Sequence, residues 1–150
     1  MEVKNGVYIN YYPNGNKKAE CSYENGLVIG LFKSWYENGQ LNIECSYDNH
    51  NIHGEYKSWY ENGQLNVESS YDNGILNGIS KIWYKNGNKM QEQSYINGIT
   101  NGLYKYWYEN GSKQIETNYA MGINQGPFKK WSEDGILIKD LFYVNNKIVK

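Results

Sequence analysis

The 150-residue sequence contains no arginine, only two prolines, two cysteines and two histidines, and no long apolar run. Lysines and acidic residues nearly balance at a net charge of −1, so nucleic acid is not an expected partner. No stretch approaches the roughly 18 apolar residues of a membrane span. Two cysteines are too few for a disulfide scaffold, and Met1–Gly6 lacks the apolar segment of a secretory leader. We therefore expect a cytoplasmic protein without an integral membrane segment.

Aromatic residues and glycine are abundant instead. The sequence has 16 tyrosines, five tryptophans, three phenylalanines and 16 glycines. A disordered chain would be poor in aromatic residues, and this much glycine is not typical of a helical bundle. The arginine-free composition also fits a bacterial genome rich in A and T.

Four sets of residues recur with a step of 24 residues, without insertions. Six copies fill 144 residues, so we interpret residues 1–150 as one continuous array of six 24-residue repeats. The sets are Gly6, Gly30, Gly54, Gly78, Gly102 and Gly126; Gly15, Gly39, Gly63, Gly87, Gly111 and Gly135; Tyr11, Trp35, Trp59, Trp83, Trp107 and Trp131; and Tyr23, Tyr47, Tyr71, Tyr95, Tyr119 and Tyr143.

Each repeat predicts a β-hairpin, because Asn-Gly between alternating segments favours a two-residue turn with both φ angles positive. With Asn38-Gly39 as that turn, Trp35 faces Asn42. The same register places opposite charges across five hairpins, which stabilises a sheet. The expected pairs are Lys33–Glu44, Lys57–Glu68, Lys81–Glu92, Lys105–Glu116 and Lys129–Asp140, with Ile9 facing Glu20 in the first copy.

The second turn must return the chain without accumulating stagger between the strands. A four-residue loop, Asn73-Gly74-Ile75-Leu76, achieves this and places Tyr71 between Gly54 and Gly78. The predicted fold is all-β: an elongated antiparallel meander of tandem 24-residue hairpin repeats in a single twisted sheet. One face carries the tryptophans with the Lys–Glu pairs, and the opposite face carries Phe32, Tyr36, Leu41, Ile43 and Tyr47.

A β-solenoid with one coil per repeat is the competing architecture. It would stack equivalent residues about 4.8 Å apart, against about 9.6 Å in the meander. Cys21 and Cys45 would then be close enough for a disulfide, which the meander excludes. The charge register favours the meander, in which both cysteines act as small buried apolar residues.

The segment Trp35–Leu41, its near copy Trp59–Leu65 and the following Glu-x-x-Tyr-x-Asn-Gly resemble the MORN repeat variant, the type found in proteins labelled YwqK-family antitoxins. The resemblance covers essentially the whole chain, and the last copy departs most from the pattern. It implies a hairpin array that serves in interaction, in some proteins as the neutralising partner of a toxin. Ordinary MORN repeats have been linked to scaffolding and to membrane-lipid contact.

Nearly every polar residue belongs to a periodic set, whereas an active site is a singular constellation, so we expect neither an enzyme nor a cofactor. His50 and His53 supply too few ligands for a metal site. The alternative is a turn in which His50 replaces glycine at positive φ, and we expect no bound metal.

Half-exposed tryptophans are the best candidates for binding, since tryptophan and tyrosine are enriched at interaction hot spots. Their alternative role is to pack on neighbouring strands and cover lysine stems. We predict a non-catalytic protein–protein interaction protein, with a co-encoded toxin as partner. A glycan- or lipid-headgroup-binding module and a purely scaffolding role are the alternatives. The predicted contact residues are Trp35, Trp59, Trp83, Trp107, Trp131, Lys57, Lys81 and Lys105.

End-to-end self-association is a further expectation. Ile148-Val149-Lys150 begins a seventh unit and would leave an apolar strand edge exposed, and such edges invite pairing.

Overall fold

The computed structural model describes residues 3–149, which form fourteen strands and no helix. Met1, Glu2 and Lys150, which entered the predictions on a leader segment and on the last strand edge, lie outside the described residues. The strands are β1 (Gly6–Tyr11), β2 (Lys17–Glu24), β3 (Leu27–Trp35), β4 (Leu41–Asp48), β5 (Asn51–Trp59), β6 (Leu65–Asp72), β7 (Ile75–Leu76), β8 (Gly78–Trp83), β9 (Lys89–Ile96), β10 (Ile99–Trp107), β11 (Lys113–Ala120), β12 (Ile123–Trp131), β13 (Leu137–Val144) and β14 (Lys147–Ile148).

Two compact units divide the chain, one ending at Ile75 and the other beginning at Leu76. In the first unit, β1 to β6 are antiparallel and each pairs with its neighbours in sequence. In the second unit, β8 to β14 follow the same order. The predicted all-β meander of antiparallel hairpins is confirmed, and the solenoid alternative is excluded. Both cysteines are free thiols.

The cross-strand charge register is also confirmed. Lys57 faces Glu68 in β6 and Glu44 in β4, and Ile9 faces Glu20 in the first hairpin. The remaining predicted pairs are Lys33–Glu44, Lys81–Glu92, Lys105–Glu116 and Lys129–Asp140, and all are present.

The first turn of each repeat differs from the prediction. In the second copy the Gly39 N–H donates to the Tyr36 carbonyl at 2.9 Å, and the Tyr36 N–H donates to the Gln40 carbonyl at 2.8 Å. Only Gly39 has a positive φ, at 86°, so the loop has three residues and the glycine begins a bulge. The bulge shifts the register by one residue. Trp35 therefore faces Leu41 and not Asn42, which the prediction placed opposite it.

The second turn is the tight one, and the predicted four-residue loop is wrong. Asn73 and Gly74 have φ angles of 47° and 79°, as a two-residue hairpin turn requires. His50 occupies such a turn with φ at 68°, and its Nδ1 accepts a hydrogen bond from the Val28 N–H at 2.9 Å. The prediction that His50 takes the place of glycine is thus confirmed.

Two additional residues per repeat prevent the strands from becoming staggered, and they lie within a strand and not in the turn. Tyr47 pairs with Ile52 close to the turn, but Cys45 pairs with Tyr56, so Ser46 lies opposite three residues centred on Gly54. Gly54 has a φ of 86°, which glycine adopts without steric cost. The tyrosines consequently face glycine on one side only, as Tyr47 faces Gly30, and the prediction of glycine on both sides is wrong.

The best-buried position recurs in four successive copies, at Cys45 and its equivalents. Cys45, which is 2% exposed, pairs with Phe32 on one side and Tyr56 on the other, and burial raises the pKa of its thiol. Phe32 meets Tyr47 edge to face at 5.9 Å. The equivalents of Cys45 in three later copies are also nearly fully buried, but they are polar, so the prediction of an apolar row is wrong at these positions. These equivalents are Ser69, Gln93 and Thr117.

Hydrogen bonds between successive repeats join the hairpins at the three-residue turns. The Tyr36 hydroxyl donates to the Trp59 carbonyl at 2.9 Å, and the Asn38 side chain donates to the Glu61 carbonyl at 3.1 Å. Burial, together with the Tyr106 hydroxyl, raises the pKa of Tyr84 to about 12, so this phenol stays a donor at neutral pH. The other bonds of the tyrosine series run from Tyr12 to Trp35, Tyr84 to Trp107 and Tyr108 to Trp131.

Replacing Tyr36 by phenylalanine should reduce the free energy of unfolding by about 1 kcal/mol, because the Trp59 carbonyl loses its donor. Tyr11→Phe is the matched control, since that side chain is exposed. Urea denaturation followed by tryptophan fluorescence measures both. Equal destabilisation by the two substitutions would contradict a structural role for the hydrogen bond.

Candidate functional site

The tryptophans predicted to bind a partner lie half-buried at the ends of their strands. In the first unit, Trp35 and Trp59 end β3 and β5, and Lys57 lies two residues before Trp59 on the same face of the strand. In the second unit, Trp107 ends β10 in the same way, and Lys105 precedes it. The other predicted contact residues, Trp83, Trp131 and Lys81, occupy equivalent positions in the second unit.

Lysines at the start of three strands lie between a tryptophan ring and a carboxylate. In each set the lysine Nζ is 2.7 Å from the glutamate Oε2 and 5.2 to 5.6 Å from the ring centre, within cation–π range. The sets are Lys17 with Glu20 and Trp35, Lys89 with Glu92 and Trp107, and Lys113 with Glu116 and Trp131.

The bulge after the three-residue turn makes these contacts geometrically accessible. Residues three apart in a regular strand point to opposite faces, so Lys89 could not otherwise reach Glu92. One additional residue in β9, where Trp83 pairs with Lys89, returns the lysine to the face of the glutamate. Sequence reasoning missed this position because it assumed a turn without a bulge.

Leucine replaces the strand-start lysine in two copies of the first unit, at positions 41 and 65. The glutamate then turns to the lysine across the sheet: Lys33 Nζ lies 2.8 Å from Glu44 Oε2. Lys57 contacts two carboxylates, because its Nζ lies 2.9 Å from Glu55 Oε2 and 3.8 Å from Glu68 Oε1. The hydrogen bond to Glu55 raises the pKa of Lys57. All three predicted contact lysines, Lys57, Lys81 and Lys105, face glutamates across the sheet.

The two units carry opposite net charge on the same repeat geometry. Residues 3–75 contain five lysines and nine acidic side chains, whereas residues 76–149 contain nine lysines and six acidic side chains. With neutral histidines these ranges carry about −4 and +3 at pH 7. A single charge for the whole chain hides this difference.

Shallow grooves recur above the two-residue bulges. One is lined by Val7, Glu20, Leu31 and Lys33, and its equivalent in the next copy adds His53 and Glu55. Leu103, Glu116, Pro127 and Lys129 line the corresponding groove in the second unit. Because the same groove returns with the repeat, it follows from the fold and is not a singular catalytic constellation.

Metal binding finds little support in the geometry. His53 Nδ1 lies 3.4 Å from Asp72 Oδ1, and the His50 Nδ1 is engaged with the backbone of Val28. Within residues 3–149, no three histidine, cysteine or acidic side chains come close enough together to hold a metal ion. The same residues include no helix that is both long and apolar enough to cross a membrane.

The fold and the recurring surface define a tandem β-hairpin repeat protein. Five stretches match the model of the MORN repeat variant: residues 4–25, 29–49, 52–73, 76–97 and 100–121. The chain therefore belongs to the MORN repeat variant family. Repeats of this kind generally form binding modules for proteins or lipids. No curated protein matches the sequence.

Acidification should weaken the second unit through Glu92. Its hydrogen bond with Lys89 lowers the pKa of Glu92, so the stabilising contribution is complete above the ordinary glutamate pKa and disappears as the pH falls through the lowered value. We expect Glu92→Gln to flatten the dependence of the urea midpoint on pH below about 4.5. Glu61→Gln, at an exposed turn position, is the control and should leave that dependence unchanged. Identical pH profiles for E92Q and the original chain would contradict this role.

Proposed function

We propose that the chain is a non-catalytic protein–protein interaction module that contacts its partner through the tryptophan faces. The observation that carries the proposal is the repetition of a half-exposed tryptophan beside a lysine in the same geometry in both units. Tryptophan provides a large contact area with few rotatable bonds, and lysine adds a positive charge at the end of a flexible side chain. The contact residues are Trp35, Trp59, Trp83, Trp107 and Trp131, with Lys57, Lys81 and Lys105.

The partner in this proposal is a co-encoded toxin in a bacterial cytoplasm, which the chain neutralises by covering its active surface. Membership in the MORN repeat variant family supports a binding role. Opposite net charges on the two units support a protein partner with both acidic and basic patches, because complementary potentials accelerate and orient association. Catalysis by the chain itself is not part of this function.

Simultaneous replacement of Trp59, Trp83 and Trp107 by alanine should abolish binding to the co-encoded toxin of this proposal. Each lost tryptophan removes a contact worth about 2 kcal/mol at a hot spot. Titration calorimetry measures the affinity, and circular dichroism verifies that the variant is folded.

The matched control replaces three exposed apolar residues beside the two-residue turns, Leu27, Ile99 and Ile123, by alanine. It removes apolar surface at the other ends of the strands, so binding should persist. Unchanged affinity of the tryptophan variant would refute the proposed surface.

Self-association is the second interaction we propose, through strand β1. Its six residues are all exposed and uncharged, and edge strands are usually protected from pairing by charge. Sedimentation should reveal species larger than the monomer at high concentration. Ile9→Lys would charge the edge and restore the lysine opposite Glu20, so this variant should be monomeric. A strict monomer for the unmodified chain would contradict the proposal.

A further inference from the structure

Three aromatic side chains end alternate strands of the first unit: Tyr11 in β1, Trp35 in β3 and Trp59 in β5. Neighbouring strands are about 4.8 Å apart, so equivalent residues two strands apart are separated by about 9.6 Å. The register supports this alignment, because Lys33 and Lys57 both face Glu44 from opposite sides. The three rings therefore form a row with a regular step across the strands.

That step is close to the pitch of a polyproline II helix. Three residues per turn and a rise of 3.1 Å give about 9.3 Å, so every third residue of such a helix meets the next ring of the row. An extended β-strand would place every third side chain on alternating faces and would not match. The row therefore favours a ligand that is apolar and that adopts the polyproline II conformation.

We propose that this row binds a proline-rich segment of a partner protein in the polyproline II conformation, with one proline at each aromatic ring. Leu41, which faces Trp35, provides apolar surface between the two tryptophans. A polyproline II backbone has no internal hydrogen bonds, so its carbonyls need donors. The indole N–H groups of Trp35 and Trp59 are hydrogen-bond donors and can serve that purpose.

Charge specifies the residues between the prolines. The first unit carries nine acidic side chains against five lysines. Glu37 and Glu61 are exposed in the turns, two residues beyond Trp35 and Trp59, and so repeat with the same step as the rings. Lys17, Lys33 and Lys57 lie on the strand side of the rings and contact Glu20, Glu44 and Glu68. A segment with lysine or arginine at every third position would therefore place its cations on the turn side, at Glu37 and Glu61. The inference rests on the proposed interaction function and names the chemistry of the partner segment.

The test uses the full chain and three synthetic peptides in titration calorimetry. The peptides are (Pro-Pro-Lys)4, (Pro-Pro-Glu)4 and (Gly-Ser-Lys)4, which separate helix type from charge. We expect (Pro-Pro-Lys)4 to bind at least about tenfold more tightly than either control peptide. Equal binding of (Gly-Ser-Lys)4 would reduce the interaction to charge and overturn the proposal, as would no binding of (Pro-Pro-Lys)4.

Variants locate the site. W35A/W59A should weaken (Pro-Pro-Lys)4 binding about tenfold. The control L27A/I75A replaces exposed apolar residues at the two-residue turns of the same unit and should leave binding unchanged. The charge reversal E37K/E61K alters only exposed side chains and should reverse the preference between the lysine and glutamate peptides, even if the alanine variants are unstable. Equal effects of the tryptophan pair and the control pair, or an unchanged preference, would overturn the proposal. A chain that ignores the peptides while its protein partner still requires the tryptophans would leave the proposed function standing.

Discussion

The rows of side chains depend on a compensation between the tight turns and the bulges in the strands. The three-residue turn with its bulge at one end of each hairpin and the two-residue turn at the other would by themselves shift each repeat by two residues relative to the one before. The two additional residues opposite Ser46, centred on Gly54, cancel this shift. Equivalent residues therefore recur at the same height across the strands. Without it Lys57 could not face both Glu44 and Glu68, and the tryptophans would not align.

Once equivalent residues align, single substitutions change a row without disturbing the backbone. Lysine at the start of a strand binds the nearby glutamate and covers a tryptophan ring, as Lys89 does with Glu92 and Trp107. Leucine at the same position releases the glutamate to a lysine across the sheet, as in Lys33–Glu44. Each exposed ion pair contributes little by itself. Their main effect is therefore on the character of the surface and only secondarily on stability.

The sequence predicted the hairpins and the central register because opposite charges are informative about pairing. Lys–Glu pairs identify which residues face each other, and this information is independent of turn geometry. The lengths of the two turns could not be predicted in the same way, because Asn-Gly occurs in both loops. In Tyr-Glu-Asn-Gly only the glycine takes a positive φ, whereas Asn73 and Gly74 both do. The Asn-Gly pair alone does not distinguish these two turns.

The candidate site could be predicted only in part for the same reason. The tryptophans follow from their 24-residue period, but the residues beside them depend on a one-residue bulge that the period does not reveal. Leu41 was therefore assigned to the opposite face, although it faces Trp35. The strand-start lysines were missed because their contacts with Glu20, Glu92 and Glu116 cross three residues within one strand.

The proposed interaction uses rows of side chains more than pockets. The grooves above the bulges are shallow copies of one another, so no single groove can identify a partner. What distinguishes the two units is the charge that borders rings of equal spacing, with an excess of acidic residues before Ile75 and of lysines after it. The spacing is set by the distance between strands, which side chains hardly alter. In the proposed interaction, selectivity therefore comes from the side chains that line each row, where substitutions leave the backbone ladder intact.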